Sequence, residues 1–370
     1  MSNQLKKIIL PGIIFLALIA RIYWAFFTQL PTKPFDTLSY FEQADAILKG
    51  GYINFFPNGY PFIIAITKLL IGNKVVSGLL WLNIAMSMSI IYFSYKIAKK
   101  IYAAENIAFI VACAIALFPS QLNSVRWLMS EIPVSFFLIG SYFFYYHKKI
   151  LPAGLFIGLA TIIRTEMMAI LLMLLIIDII HYKKINLLFI AGSFIPLLIV
   201  AAFCYSKTGQ FSLSGHNAYN IIIASRSSGD DIDFSYPSKH PEIVTNKYAT
   251  KMYLDFIKNE PWNFIKSRLN NLWNLWALYQ PPTKDSPGIV STIIRGVGNL
   301  LILTLGLSAW WQNRKNYTIG ILIIPFLVIT IVHVIYFGQH RNIVPVEPFL
   351  IILSAWKINA LFANTKKTLR

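Results

Sequence analysis

The stretch HKKILPAGLFIGLATIIRTEMMAILLMLLIIDIIHYKK, from His147 to Lys184, shows most clearly how this chain is organised. Two apolar runs lie between two lysine pairs, and Arg164 and Glu166 separate the runs. Membrane proteins keep positive charge in their short cytoplasmic loops, so the lysine pairs predict that both runs end on the cytoplasmic side. Arg164 and Glu166 then lie at the opposite, outer end.

The same alternation recurs along all 370 residues, of which 56% are hydrophobic and 13% charged. Six basic clusters each open or close an apolar stretch: Lys6-Lys7, Lys96 with Lys99-Lys100, Lys148-Lys149, Lys183-Lys184, Arg314-Lys315, and Lys366-Lys367 with Arg370. In a soluble protein the net charge of +18 would suggest nucleic acid. Here most of the positive charge flanks apolar segments, so orientation in a membrane explains it and no nucleic-acid partner is expected.

The pattern predicts an all-α, polytopic protein of the cell inner (plasma) membrane, with both termini cytoplasmic. About ten transmembrane helices are expected, near residues 8–28, 75–95, 101–119, 132–147, 151–163, 167–182, 185–205, 288–310, 317–337 and 346–363. The apolar run Pro61–Ile71 is only about half a span long. Counting it as a crossing would reverse every later lysine cluster, so it is interpreted as an interfacial or re-entrant helix.

We expect residues 1–370 to form a single membrane domain without a separate soluble part, and with outer loops at about 28–75 and 206–286. In the first loop, Leu38–Lys49 has helical spacing with one apolar face, which predicts a helix on the membrane surface. In the second, the stretch Tyr248–Tyr279 is amphipathic and aromatic. Its Trp262, Trp273 and Trp276 suit the lipid headgroup layer.

Ionisable residues concentrate at the outer helix ends and in the outer loops, namely Asp36, Arg126, Glu131, Arg164, Glu166, His340, Arg341 and Glu347. The run before Arg164 offers about 20 Å of helix against a hydrocarbon core of roughly 30 Å, which predicts a water-filled recess. Arginines and carboxylates in such a recess suit a phosphate-bearing lipid and a proton acceptor. Structural alternatives are an N-cap for Asp36, a mutual Arg164–Glu166 pair, and an interfacial anchor for His340-Arg341.

Several motifs together resemble the GT-C glycosyltransferases, in particular the protein O-mannosyltransferase and lipid A aminoarabinose transferase group (family 39-like). FDTLSYFEQADAILKG (35–50) and PNGYPFIIA (57–65) resemble the first outer loop of that group. Further matches are LMSEIP (128–133), GLATIIRTE (158–166), YLDFIKNEPWNFIKSRLNNLW (253–273) and HRNIVPVEPFL (340–350). The resemblance covers most of the chain, and the order and sidedness of these short motifs carry it.

The resemblance implies an outward-facing cavity and transfer of a hexosyl or pentosyl group from a polyprenyl-phosphate donor, with inversion, to an acceptor glycan, lipid or protein. Asp36 would take the acceptor's proton, and Glu131 would be a second catalytic carboxylate that orients the acceptor or a metal. The donor phosphate would be bound by Arg341, Arg164, Arg126 and His340, and substrate contacts would come from Tyr40, Tyr60 and Glu166. The metal requirement stays open, with a divalent cation as one option.

Two rival interpretations also stay open. An O-antigen polymerase or ligase would also use arginines in large outer loops, but it would need no carboxylate directly after the first helix. A flippase or transporter predicts internal repeats and paired broken helices near the membrane midplane. The sequence contains no such repeat, and Pro196 and Pro325 do not form a matched pair in two similar halves.

Overall fold

The structure is a computed structural model that describes residues 3–28, 35–53, 55–215, 217–226, 245–276 and 289–368. Within these ranges all regular structure is helical, which confirms the all-α prediction. The helices, in chain order, are α1 Asn3–Phe26, α2 Phe35–Leu48, α3 Gly59–Ile71, α4 Val75–Tyr102, α5 Glu105–Leu117, α6 Pro119–Asn123, α7 Glu131–Tyr146, α8 Ile150–Ile163, α9 Met167–Tyr182, α10 Leu187–Thr208, α11 Asn217–Arg226, α12 Asn246–Asn259, α13 Pro261–Trp276, α14 Ile289–Asn313, α15 Tyr317–Gly320, α16 Ile324–Ile335 and α17 Glu347–Thr368.

Five helical segments in the described part of the chain are long and apolar enough to cross a membrane: Ile8–Phe26, Gly59–Tyr102, Leu187–Thr208, Ile293–Asn313 and Tyr317–Ile335. The pair Glu105–Leu117 and Pro119–Arg126, bent by 51°, makes a sixth if it counts as one span. Helices α8 and α9 are apolar but shorter. All ten predicted segments contain helix, while the count of ten crossings and the sidedness of the termini stay predictions.

The segment Gly59–Tyr102 is broken by a turn at Gly72–Lys74, where Gly72 adopts a positive φ of 56°. The side chains of Thr67 and Ile71 in α3 lie next to Gly78 in α4, so α3 packs against the start of α4. The absence of a side chain at Gly78 permits this approach, because a Cβ there would lie 2.0 Å from the Ile71 side chain.

Helix α8, which ends next to Arg164, is fixed by close packing against α10. A Cβ at Gly154 would lie 2.2 Å from the Phe189 carbonyl oxygen, and one at Gly158 would lie 2.3 Å from that of Ser193. Small residues allow this backbone approach between membrane helices, where dispersion contacts supply much of the stability. The end of α8, and therefore the position of Arg164, is held by backbone contacts.

The loop between α2 and α3 is tied to α2 by Gln43. Its side-chain amide donates to the Phe56 carbonyl and to the Asn58 side chain, both at 2.9 Å, and accepts from the Phe56 N–H at 3.2 Å. Because Gln43 is fully buried, these bonds are shielded from water and hold the loop against the helix. Tyr40, one turn before Gln43, packs its ring on Phe56 and Tyr60.

Helix α13 is anchored to the end of α16 by polar side chains. Asn271 donates to the carbonyls of residues 334 and 336, and Arg268 donates to those of residues 335 and 224. The opposite face of α13 exposes an apolar stripe made of Trp262, Ile265, Leu269, Leu272 and Trp273. The prediction for Trp276 is corrected, because this ring is buried against Phe326 and donates to Thr330.

Arg21 is fully buried within the apolar helix α1, which the sequence did not lead us to expect. Its guanidinium donates to the Ser87 hydroxyl at 2.7 Å and to the Ala116 carbonyl at 3.1 Å. Ala116 lies at the end of α5, just before the bend into α6, and the last carbonyls of a helix lack intrahelical partners. Arg21 therefore satisfies a helix end inside the bundle.

Candidate active site

A cavity of about 1050 Å³ opens where the ends of several helices meet. Its walls come from the start of α2, the loop before α3, the end of α8, helix α11, the end of α16 and the 3-10 turn His340–Ile343. The lining includes five ionisable residues and several tyrosines: Asp36, Arg164, Glu166, His333 and Arg341, with Tyr40, Tyr219 and Tyr336. Segments distant in sequence thus bring both signs of charge and several aromatic rings into one space.

Asp36 and Arg341 form the first ion pair of the cavity, with 2.5 Å between Asp36 Oδ2 and Arg341 Nη2. Asp36 lies inside the first described turn of α2, and its carboxylate pairs with Arg341, so it has a partner outside its own helix. Arg341 also donates from Nε to Gln339 at 2.8 Å. Burial alone would lower the pKa of Arg341, but the carboxylates of Asp36 and Glu131 raise it, so the guanidinium stays charged.

Arg164 and Glu131 form the second pair. Arg164 Nη2 lies 3.2 Å from Glu131 Oε1 and 3.2 Å from Asn342 Oδ1, while Nε donates to Ser130 at 3.1 Å. Glu131 is only 1% exposed and lies in the first turn of α7, where the helix dipole favours a negative charge. The carboxylate that we expected to act second in catalysis therefore lies behind Arg164 and outside the cavity lining.

Glu166 and His333 face each other beside Arg164. Glu166 Oε1 lies 3.7 Å from Arg164 Nη1 and 3.9 Å from His333 Nε2. Arg164 and Glu166 therefore form a loose ion pair, as one of the structural alternatives predicted. Glu131, Asn342 and Ser130 are closer partners of Arg164. At this separation the Glu166 carboxylate still attracts the guanidinium, although no direct hydrogen bond joins them.

The expected tyrosines and Arg126 differ in their positions. Tyr40 lines the cavity, and burial, followed by the charge of Asp36, raises the pKa of its hydroxyl. Tyr60, expected as a substrate contact, lies beneath Tyr40 and outside the lining, with the two rings edge to face at 5.0 Å. Arg126 stacks over the Trp24 ring at 5.6 Å and donates to Thr28, also outside the lining.

His340 points away from the cavity although Arg341 points into it. Its Nε2 lies 2.7 Å from the Asn299 side-chain amide on α14, and the residue is buried. Burial, together with the charge of Arg295, lowers the pKa of His340 to about 3, so the ring is neutral. His340 fixes the 3-10 turn against α14, so the alternative of an interfacial anchor is wrong for this residue.

Glu347, another of the outer ionisable residues, is fully buried at the start of α17. Its Oε2 accepts from the Ser120 hydroxyl at 2.5 Å and from the Gln121 amide at 2.9 Å, and both donors belong to α6. Glu347 therefore ties α17 to the short helix after the bend, and it lies outside the cavity lining.

Sequence reasoning missed several polar residues of the cavity, among them His333, Gln339 and Asn342. His333 had a usable signal, since an ionisable residue inside an apolar span is a functional candidate by default. Gln339 and Asn342 flank the His340-Arg341 motif and gave no signal of their own. Among the described residues, no group of three or more His, Cys, Asp or Glu side chains converges in a way that could hold a metal ion.

The helical architecture with its polar cavity at the helix ends is similar in fold to solved membrane-protein structures, in agreement with the fold that the sequence motifs predicted. Two solved structures match 95% of this chain, each at 12% identity and a TM-score of 0.58. One is an Archaeoglobus fulgidus oligosaccharyltransferase tethered to an acceptor peptide containing the NVT sequon. The other is ArnT from Cupriavidus metallidurans bound to undecaprenyl phosphate.

This chain covers 49% of the oligosaccharyltransferase and 60% of ArnT, so it spans about half to three fifths of the length of the structures it matches. No protein-family model matches the chain, and no curated protein matches its sequence. At 12% identity the likeness is one of fold, and the chemistry of the cavity has to be argued from this chain's own residues.

Proposed function

We propose that this chain transfers a sugar from a polyprenyl-phosphate donor to an acceptor hydroxyl at the outer face of the membrane. The observation that carries the proposal is the Asp36–Arg341 pair inside one cavity. It combines a carboxylate that can take a proton with a guanidinium that can hold a phosphate. The fold supports it as well, since one of the two matching structures, ArnT, is bound to undecaprenyl phosphate.

The proposed reaction is a single displacement that inverts the anomeric centre. Asp36 takes the proton of the acceptor hydroxyl while the acceptor oxygen forms its bond to the anomeric carbon. The bond between that carbon and the phosphate oxygen breaks, and its electron pair leaves with the lipid phosphate. Arg341 stabilises the negative charge that grows on the departing phosphate by direct contact, and Arg164 adds the positive potential of a second guanidinium in the same cavity.

The other residues assist from defined positions. Glu131 acts through Arg164, because it holds the guanidinium from behind and has no place in the cavity lining. Tyr40 offers an aromatic face to the substrate and is supported by Tyr60. Arg126 and His340 were expected to bind the donor phosphate. Both lie outside the cavity lining, so neither contacts the phosphate in the proposed reaction.

The outer location rests on the direction of the helices. Helix α7 carries Glu131 at its start and is followed by Lys148-Lys149, and α9 begins after Glu166 and is followed by Lys183-Lys184. The cavity and the lysine pairs therefore lie at opposite helix ends. Since lysine pairs favour the cytoplasmic side, the cavity is assigned to the outer side.

Mass spectrometry of cell-envelope glycans tests the proposed function. Cells that lack this protein are complemented with the wild-type chain, with Asp36→Asn, or with the control Glu42→Gln, which changes an exposed carboxylate on the same helix. We expect one sugar to be missing without the protein and strongly reduced with Asp36→Asn, while polyprenyl-phosphate sugar accumulates. Identical glycans and an unchanged lipid pool in all four strains would refute the proposal.

A further inference from the structure

Arg164 uses two of its three nitrogen atoms in hydrogen bonds to other described residues, and the third, Nη1, has none. Nε donates to Ser130, and Nη2 contacts Glu131 Oε1 and Asn342 Oδ1. Nη1 is buried and, within the described part of the chain, has no hydrogen-bond partner. Its nearest charged neighbour is Glu166 Oε1, at 3.7 Å, which is longer than a direct hydrogen bond.

Asn342 fixes the tautomer of His333. A guanidinium only donates, so the atom of Asn342 that faces Arg164 is the carbonyl oxygen, and the amide nitrogen faces His333. That nitrogen lies 3.1 Å from His333 Nδ1, which must then accept. The carbonyl oxygen of residue 337 also lies near Nδ1, at 3.2 Å, and would favour a proton there, but the shorter contact to Asn342, whose carbonyl oxygen is held by Arg164, favours Nδ1 as the acceptor. A neutral His333 therefore carries its proton on Nε2.

His333 Nε2 points to the same carboxylate as Arg164 Nη1. It lies 3.9 Å from Glu166 Oε1, and it too is buried without a hydrogen-bond partner among the described residues. Two N–H donors and one carboxylate acceptor thus surround a single position on the cavity wall, and the carboxylate is too far from either donor to bond it directly. One oxygen atom that lies to the side of these three groups, at the cavity wall, can bond to all of them.

The donor and acceptor pattern selects the chemical group that fits. A hydroxyl can accept from the two N–H groups and donate to Glu166. A phosphate or carboxylate oxygen has no hydrogen to donate to Glu166, and the negative charge of Glu166 would repel it. An ammonium group has no lone pair for the two donors and would be repelled by Arg164.

We propose that Arg164, Glu166 and His333 form a hydroxyl-binding subsite, which holds one hydroxyl group of the substrate while Arg341 holds the phosphate. The inference rests on the proposed function for the source of that hydroxyl, which belongs either to the transferred sugar or to the acceptor. Glu131 and Asn342 are positioning residues, since they reach the subsite only through Arg164 and His333.

Steady-state kinetics in membranes test the subsite and distinguish the two sources. The probes are polyprenyl-linked sugars and envelope glycans extracted from the producing cells, and the variants are Glu166→Ala and His333→Ala. We expect roughly a tenfold rise in one KM, as for one lost hydrogen bond. A rise for the donor lipid assigns the sugar hydroxyl, and a rise for the glycan assigns the acceptor hydroxyl. Both KM values unchanged would overturn the subsite.

Two comparisons guard against a merely structural effect. His333→Gln keeps an N–H donor and should restore much of the affinity, whereas the control His181→Gln changes an exposed histidine at the far end of α9 and should alter neither KM. No transfer by wild-type membranes would refute the proposed function instead of the subsite.

Nitrogen NMR of the full chain, made with 15N-labelled histidine, tests the subsite without any substrate, because it reports which nitrogen of His333 carries the proton. We expect His333 to be neutral with its proton on Nε2, and Asn342→Ala to remove that preference. A proton on Nδ1 of His333 in the wild-type protein would overturn the inference.

Discussion

Replacing Asp36 by asparagine should tighten the binding of undecaprenyl phosphate, because the carboxylate occupies the arginine that the phosphate needs. Asp36 and Arg341 are in contact at 2.5 Å, and their side chains are 23% and 26% exposed. Charge-assisted contacts contribute about 1.5–3 kcal/mol when shielded, and exposed ion pairs up to about 1 kcal/mol. For this partly exposed pair we take about 1 kcal/mol, which corresponds to roughly a fivefold gain in affinity.

A double-mutant cycle distinguishes competition for Arg341 from simple repulsion between Asp36 and the phosphate. Dissociation constants for undecaprenyl phosphate are measured in nanodiscs for the wild type, Asp36→Asn, Arg341→Ala and the double variant. If the carboxylate competes for the guanidinium, asparagine tightens binding more when Arg341 is present than when it is absent. Repulsion alone predicts the opposite order, because Arg341 then only screens Asp36.

Two outcomes of this cycle would contradict the competition. Weaker lipid binding by Asp36→Asn would mean that the carboxylate helps to hold the phosphate site in shape. Unchanged binding by Arg341→Ala would remove Arg341 from the phosphate site altogether. The control Glu42→Gln removes a negative charge from the exposed side of α2 and should leave the dissociation constant unchanged.

Three further predictions concern stability and topology. Gly158→Ala should lower the free energy of unfolding by about 1–3 kcal/mol, because the new Cβ would collide with the α10 backbone. The control Gly12→Ala has open space around the new Cβ and should cause no loss of stability, as measured by thermal unfolding. Glu131→Ala should lower the free energy of unfolding by about 3 kcal/mol, because Arg164 then lacks its buried partner, and denaturation in detergent measures this loss. Cysteines introduced at Lys148 and Ser214 should react with an impermeant thiol reagent from opposite sides of the membrane, and equal labelling from one side would reject the proposed orientation.

Much of the helical framework was predictable because it depends on properties that are local in sequence. The apolar runs and the basic clusters that flank them predicted ten segments, and each of these segments contains helix in the structure. The short run before Arg164 also predicted a polar recess, and Arg164 and Glu166 do line the cavity. Asp36 and Arg341, separated by most of the chain, were predicted by the charge pattern to lie on the same side of the membrane, and the family resemblance gave them roles in one site; the structure pairs them.

The rest depends on side-chain direction, which a single sequence does not contain. His340 and Arg341 are neighbours in one 3-10 turn, yet one contacts α14 and the other faces the cavity. Glu131 and Glu166 look alike as outer carboxylates, but the packing of α7 behind Arg164 buries only the first. Arg21 was missed because its partners are the Ser87 hydroxyl and backbone carbonyls next to a helix break, and neither leaves a charge pattern in the sequence.

Turnover by purified Asp36→Asn is the sharpest test of Asp36 as the catalytic base. The substitution keeps the size of the side chain and removes its charge and basicity, so it separates proton transfer from folding and from lipid binding. We expect a loss of about 10²–10⁴-fold in turnover, the usual range for general acid–base catalysis, with undecaprenyl phosphate still bound. A folded Asp36→Asn protein that transfers sugar at close to the wild-type rate would contradict the assignment of Asp36 as the base.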